Sequence, residues 1–195
     1  YGGSYCSESM YTMARDRLII PMVQRLASGT VRWLGWQARY LGELPWDVRP
    51  RRPDLPPKYF SCPGMRKSRL LYNFDVAKQY HTGVAVEGPT DVWRFGGPSM
   101  CTFGASMSPW QRRRLCTTFK DGALVLLYDP EAMVTPTVQK LLAKLCAALP
   151  GQVAGVVLPE GFDPGQLEQE RMLRFVSDEA RKQGVRVRWQ KRKVG

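Results

Sequence analysis

Three short apolar runs between residues 84 and 158 of this 195-residue chain end in carboxylates. Val84-Ala-Val86 leads into Glu87-Gly88-Pro89-Thr90-Asp91, Leu124-Val-Leu-Leu-Tyr128 into Asp129-Pro130-Glu131, and Val153-Ala-Gly-Val-Val-Leu158 into Pro159-Glu160-Gly161-Phe162-Asp163-Pro164. In an open parallel sheet, ligands bind beyond the carboxyl ends of the strands, so these acids can converge on one edge. Gathered carboxylates repel one another unless a cation sits among them, and oxygen-only ligation beside phosphate chemistry suits Mg²⁺ or Mn²⁺. The competing reading is that acids after strands serve as helix caps and solubilising charges. Gly88 permits a tight turn between Glu87 and Asp91, and Pro130 fixes the turn that separates Asp129 from Glu131. Other chemistries are excluded. His81 is the single histidine, and Cys6, Cys62, Cys101, Cys116 and Cys146 lie far apart with no CxxC pair. Structural zinc and Ser/His/Asp or Cys/His nucleophilic sites therefore lack their ligands and bases.

The elements that must position these acids follow from periodicity. From about residue 82 short apolar strands alternate with helical patterns, closing with a strand expected at Val185-Arg-Val-Arg-Trp189. Ser108 before Pro109 and Thr135 before Pro136 each place a capping hydroxyl ahead of a proline suited to the first helical position. A third helix is expected from Gln166 to Gln183, stopped at Gly184. This alternation predicts an α/β domain over residues 81–195, its mostly parallel central sheet flanked by helices. Residues 1–80 read as a small, basic, β-rich and irregular subdomain. Strands are expected at Arg17-Leu-Ile-Ile-Pro21 and over 31–39, followed by a Pro-rich loop.

Charge suggests the partner. With 29 Lys and Arg against 17 Asp and Glu the net charge is +12, a surface suited to polyanions. Arg112-Arg113-Arg114 fans around a helix and reads as a solvated face. Trp33, Trp36 and Trp46 read as core or subdomain contacts rather than base-stacking platforms. Tyr59 beside Lys58 suits base stacking and loop anchoring alike. No run approaches the ~20 apolar residues that cross a bilayer, and a soluble, intracellular protein without a membrane partner is expected. The initial Tyr1 suggests a piece of a longer chain.

The pattern Val86-Glu87-Gly88-Pro-Thr-Asp91-Val92, followed by Leu-Leu-Tyr128-Asp129-Pro-Glu131, resembles the glutamate and paired-acid motifs of the Toprim fold. Upstream, Ala14-Arg15-Asp16-Arg17-Leu-Ile-Ile-Pro21, Leu34-Gly35-Trp-Gln-Ala-Arg39, Pro57-Lys58-Tyr59-Phe60 and Arg66-Lys67-Ser-Arg69-Leu-Leu-Tyr72-Asn73 are similar, in order, to basic motifs of DnaG-type bacterial and phage primases. Leu158-Pro-Glu-Gly-Phe-Asp163-Pro164 resembles their third acidic motif. The likeness spans roughly residues 14 to 168. It implies a Toprim catalytic domain and Mg²⁺- or Mn²⁺-dependent synthesis of short RNA primers from ribonucleoside triphosphates on a single-stranded DNA template. The implied compartment is the cytoplasm of a bacterium or phage-infected cell, with a replicative helicase as a family partner. Glu87, Asp91, Asp129 and Glu131 would be catalytic, with Glu87, Asp129, Glu131 and Asp163 on the metal. Arg15, Arg17, Arg39, Lys58, Tyr59, Lys67 and Arg69 would bind template and nucleotide.

Two positions depart from the family: Glu131 stands where primases usually have Asp, and Gly165 replaces the second acid of the third motif. The family's zinc-binding and helicase-interacting domains, and the front of the core, are absent from this sequence, so poor priming by the fragment itself is expected. Two alternatives remain open at this level. One is a Toprim nuclease or topoisomerase subunit, the other a non-catalytic nucleic-acid-binding module.

Overall fold

The computed structural model describes residues 2–26, 28–42, 56–159 and 169–192. Two compact units divide between Met65 and Arg66.

The first unit is an antiparallel sheet in the order β1-β2-β3-β4, comprising β1 (Ser4–Cys6), β2 (Arg17–Arg25), β3 (Val31–Tyr40) and β4 (Tyr59–Ser61). Its spine is the β2–β3 hairpin, turned at Gly29, whose positive φ of 81° suits a residue without Cβ. The expected strands at 17–21 and 31–39 both form, and β2 runs four residues further than its apolar segment. The Pro-rich segment that holds Trp46 lies largely outside the described residues.

The second unit contains a parallel sheet ordered β6-β5-β7-β8, from β5 (Thr82–Val86), β6 (Ser99–Cys101), β7 (Ala123–Leu126) and β8 (Val153–Gly155). Its helices are α1 (Phe74–Ala77), α2 (Pro89–Phe95), α3 (Pro109–Phe119), α4 (Pro130–Met133), α5 (Pro136–Ala148) and α6 (Gln169–Lys182). The chain thus has the expected α/β class: a parallel sheet flanked by helices, preceded by a small β-rich unit. Strand alternation sorts the core into two layers. Ala85, Leu124 and Leu126 face one way, packing with Leu115 and Phe119 of α3 and Val138, Leu141 and Leu145 of α5. Val84, Val86 and Val125 face the other way, with Val92 and Phe95 of α2 and Met172, Val176 and Ala180 of α6. All five residues of β5 are buried, as a central parallel strand requires. The capping expectations hold: Ser108 Oγ accepts the Gln111 N–H and Thr135 Oγ1 accepts the Val138 N–H.

Two features differ from expectation. Residues 185–189 form no strand; Arg188 N–H donates to Thr82 Oγ1 at 2.8 Å and Trp189 Nε1 to Ser177 Oγ at 2.9 Å. A ladder partner is thus replaced by side-chain acceptors, and one isolated bridge, Tyr80 with Lys191, follows. The division of the fold also precedes the change in sequence texture near residue 81. Residues 66–80 pack on the parallel sheet, with Ala77 in its core, Leu71 and Phe74 half-buried against that core, and Tyr72 bridged to Cys101.

Candidate functional site

β5 and β7 are adjacent and parallel, with Ala85 paired to Leu126, so the residues that follow them emerge at one edge. There the Glu87 carboxylate accepts the Asp129 backbone N–H at 3.1 Å. Two acids 42 positions apart in sequence are joined by that bond. Asp91 returns across the first turn of α2: its Oδ2 accepts the Gly88 N–H at 2.8 Å. Part of its carboxylate therefore caps the helix, as the competing reading of loop acids foresees. Asp91 nonetheless lines, with Asp129, Arg94, Tyr128 and Leu158, a cavity of about 110 Å³ beyond the strand ends. Glu131 sits exposed in the first turn of α4, and Asp163 lies outside the described residues.

Buried polar groups hold this edge in place. Thr102, 3% exposed, follows β6 and bonds the Tyr128 hydroxyl at 2.8 Å, with the Val86 and Gly104 carbonyls also in reach. The ends of three strands are tied together by one hydroxyl pair. Cys101 Sγ donates to the Glu87 carbonyl at 3.0 Å and accepts the Phe103 N–H at 3.1 Å. Burial pushes the Cys101 thiol and the Tyr128 phenol well above their ordinary ranges, and the nearby charge of Glu87 adds to the rise in both. Lys67 acts on Cys101 in the opposite direction, which places its ammonium within electrostatic reach of the acidic edge.

Lys67 and Arg69 lie on a 3-10 turn (Lys67–Arg69) and are both exposed. Gln111, 2% exposed, fastens that turn: its Nε2 donates to the carbonyls of Lys67, Leu70 and Thr102 at 3.1, 2.8 and 3.2 Å. Ser108 Oγ adds a bond to the Ser68 carbonyl at 2.5 Å. Neither Gln111 nor Arg94 stands out in the sequence as a functional residue. Ser108-Pro109-Trp110-Gln111 is a capping-box spacing, which is a signal for Gln111. Arg94 carries none, because its place on the cavity depends on the angle at which α2 leaves β5.

In the first unit, Arg15 and Lys58 are exposed, and Arg15 Nε donates to the Ser9 carbonyl at 3.0 Å. Arg39 and Tyr59 are partners across β3 and β4, the guanidinium lying 5.2 Å from the ring centroid and donating to the phenol oxygen. Arg17 corrects an expectation. It is 2% exposed, donates to the Pro57 carbonyl at 2.6 Å and lies 5.2 Å from the Tyr40 ring centroid. Its guanidinium holds this unit together and is not presented to a polyanion.

The acidic edge offers oxygen donors only. Among the described residues no group of three or more His, Cys, Asp or Glu side chains is placed to hold a metal ion. A pair of carboxylates still fits Mg²⁺, which keeps several waters and takes the rest of its ligands from one or two carboxylates and substrate phosphates. No helix of the described residues is long and apolar enough to cross a membrane.

No protein-family model matches the chain, and no curated protein matches it significantly. Solved structures do. The DnaG primase catalytic domain bound to ssDNA superposes with a TM-score of 0.60 at 20% identity, covering 83% of this chain and 52% of that one. The E. coli primase catalytic core gives 0.61 at 21%, covering 86% and 52%. The DnaG catalytic core gives 0.57 at 20%, covering 88% and 54%. The chain has the fold of these catalytic cores and spans about half the length of the structures it matches.

Proposed function

We propose that this chain is the catalytic-core region of a DNA primase, joining ribonucleoside triphosphates into short RNA primers on single-stranded DNA. The observation that carries this reading is the Asp129 N–H on the Glu87 carboxylate, which brings two acids to the ligand-binding edge of a fold shared with primase catalytic cores. The Toprim-like spacing of Glu87, Asp91, Asp129 and Glu131 supports it, as do the basic motifs that precede those acids.

Glu87 and Asp129 would be the protein donors to Mg²⁺ or Mn²⁺. The chemistry a cation held there would supply is charge stabilisation at the attacking 3′-hydroxyl oxygen and at the leaving pyrophosphate oxygen. Asp91 acts twice, since one oxygen fixes the turn after β5 while the side chain borders the cavity. Arg94 on the cavity, and Lys67 and Arg69 on their clamped turn, supply positive charge for a triphosphate. Arg15 and Lys58 are exposed cations for template phosphates, and the half-buried Tyr59 ring, stacked with Arg39, follows Lys58 in the chain. A cytoplasmic setting and a helicase partner belong to the same proposal.

The test uses the longest natural chain that carries this sequence, with labelled ribonucleotides on single-stranded DNA. Glu87→Gln and Asp129→Asn should each lower metal-dependent incorporation by at least about a hundredfold, the scale expected when transition-state charge stabilisation is removed. Calorimetry should show Mn²⁺ binding by the parent that either substitution removes. Near-normal synthesis by either variant overturns the assignment. Nicking of DNA without incorporation would instead favour a nuclease.

A further inference from the structure

The β2–β3 hairpin carries a feature that primer synthesis leaves unexplained. Met22 pairs with Gly35 but Val23 pairs with Trp33, so Leu34 is an extra residue on β3. Gly35, at φ 144°, accommodates this bulge. In an unbroken strand Trp33 and Trp36 would point to opposite faces. The bulge puts both on the face of Pro21 and Val23, their partners on β2.

Their surroundings differ. Trp36 packs between Tyr11 and Phe60, with ring centroids at 5.7 and 5.9 Å. Trp33 is 68% exposed, and its neighbours on the same face, Val23 and Val31, are 38% and 42% exposed. Of the two expected roles, core residue or subdomain contact, the first is thus corrected for Trp33. β1 pairs only with residues 17–19 of β2, and β4 only with 37–39 of β3, so the outer hairpin is a two-stranded ribbon among the described residues. Beyond the buried Arg17, residues 18–42 contain Arg25, Arg32 and Arg39 and no Asp or Glu.

We infer that this ribbon is a single-stranded nucleic-acid docking surface, with a base stacked on the Trp33 indole and a backbone phosphate held by Arg32. Charge decides the occupant. A purely cationic ribbon complements a polyanion, and an exposed ring between cations offers every base a sequence-tolerant platform. A duplex keeps its base faces stacked internally and cannot use that platform, so the strand must be single. Arg25 lies on the Trp33 face, and Arg32, next to Trp33 in the chain and exposed, lies on the opposite face of a ribbon only two strands wide. This inference deepens the primase reading and rests on it: the ribbon would add affinity for template and take no part in the chemistry.

The experiment is fluorescence anisotropy of a labelled oligothymidylate of roughly 20 nucleotides, titrated with the full chain over a range of salt. Trp33→Ala should weaken binding about tenfold while leaving the slope of log affinity against log salt unchanged. Trp33→Phe should restore most of the loss, and an unchanged melting midpoint in both variants shows that the hairpin is intact. Arg32→Gln should reduce the magnitude of that slope by about 0.7, the share of one single-strand phosphate. Binding to a duplex of equal length should not respond to Trp33→Ala. Wild-type affinity in Trp33→Ala, or an equal loss on duplex, overturns the inference and leaves the primase reading standing. So does a dimer, seen by sedimentation, that Trp33→Ala dissolves while oligothymidylate affinity persists. If the unaltered chain does not bind oligothymidylate at all, both readings fall together.

Discussion

Cys101, with a fully buried thiol between the Glu87 carbonyl and the Phe103 N–H, makes the acidic edge sensitive to alkali. Burial holds its proton on in the native state, whereas in the unfolded chain a thiol ionises near pH 8.5. The raised pKa therefore contributes stability in full below about pH 8.5 and loses it as pH rises, at about 1.4 kcal/mol per unit. Tyr128, also raised by burial, adds a second loss that begins near pH 10. Urea denaturation at pH 8, 9 and 10 should show the decline, and Cys101→Ala should flatten the part between 9 and 10. Equal stability of the unaltered chain at all three pH values would refute the assignment. At this scale legibility depended on the range of the interactions. The acids were readable because a strand end is a local feature, and parallel pairing brings neighbouring ends to one edge. Arg17 was not, because its burial depends on a carbonyl forty residues away at Pro57.

Elements in the second unit approach closely enough that a single methyl group matters. The Phe119 ring of α3 lies where a Cβ on Gly83 of β5 would sit, so the helix rests directly on the strand backbone. Gly83→Ala should destabilise by about 1–3 kcal/mol, the usual cost of overfilling a packed core. Combined with Phe119→Leu, the same substitution should cost less than the sum of the single changes, and a double-mutant cycle from urea denaturation measures the difference. Strict additivity would show that the two do not meet. The parallel strands and the capped helices were legible because apolar runs and Ser-Pro or Thr-Pro starts are local signals. The expected strand at 185–189 fails because alternation alone does not provide a ladder partner, and its donors found Thr82 and Ser177 instead. The bulge at Leu34 left no local mark beyond Gly35, so the outward turn of Trp33 was not legible.

The molecule as a whole divides at Met65, and the position of that division has measurable content. Residues 66–80 lend Leu71, Phe74 and Ala77 to the α3 and α5 side of the sheet, while Gln111 holds the turn at Lys67. A protein beginning at Arg66 should unfold cooperatively, and one beginning at residue 81 should lose about 3–5 kcal/mol or fail to fold, judged from those side chains. Equal urea midpoints for the two would show that the segment is dispensable. The texture of the sequence placed the change near residue 81 because residues 66–80 have neither strand alternation nor a long helical period, and their allegiance lies in tertiary packing. At the other end of the chain, Arg192 is anchored among backbone carbonyls. Its Nε donates to Tyr80 at 3.0 Å, its Nη2 to Thr118 at 2.7 Å, and its own N–H to Gln79. Tyr80 precedes β5, so this anchor lies at the edge of the sheet opposite the carboxylates, roughly 17 Å away along a five-residue strand. A surface linker or optical handle joined beyond Arg192 would meet the sheet at the end opposite the carboxylates, and a pull on it would load the Arg192 clasp before any strand of the sheet.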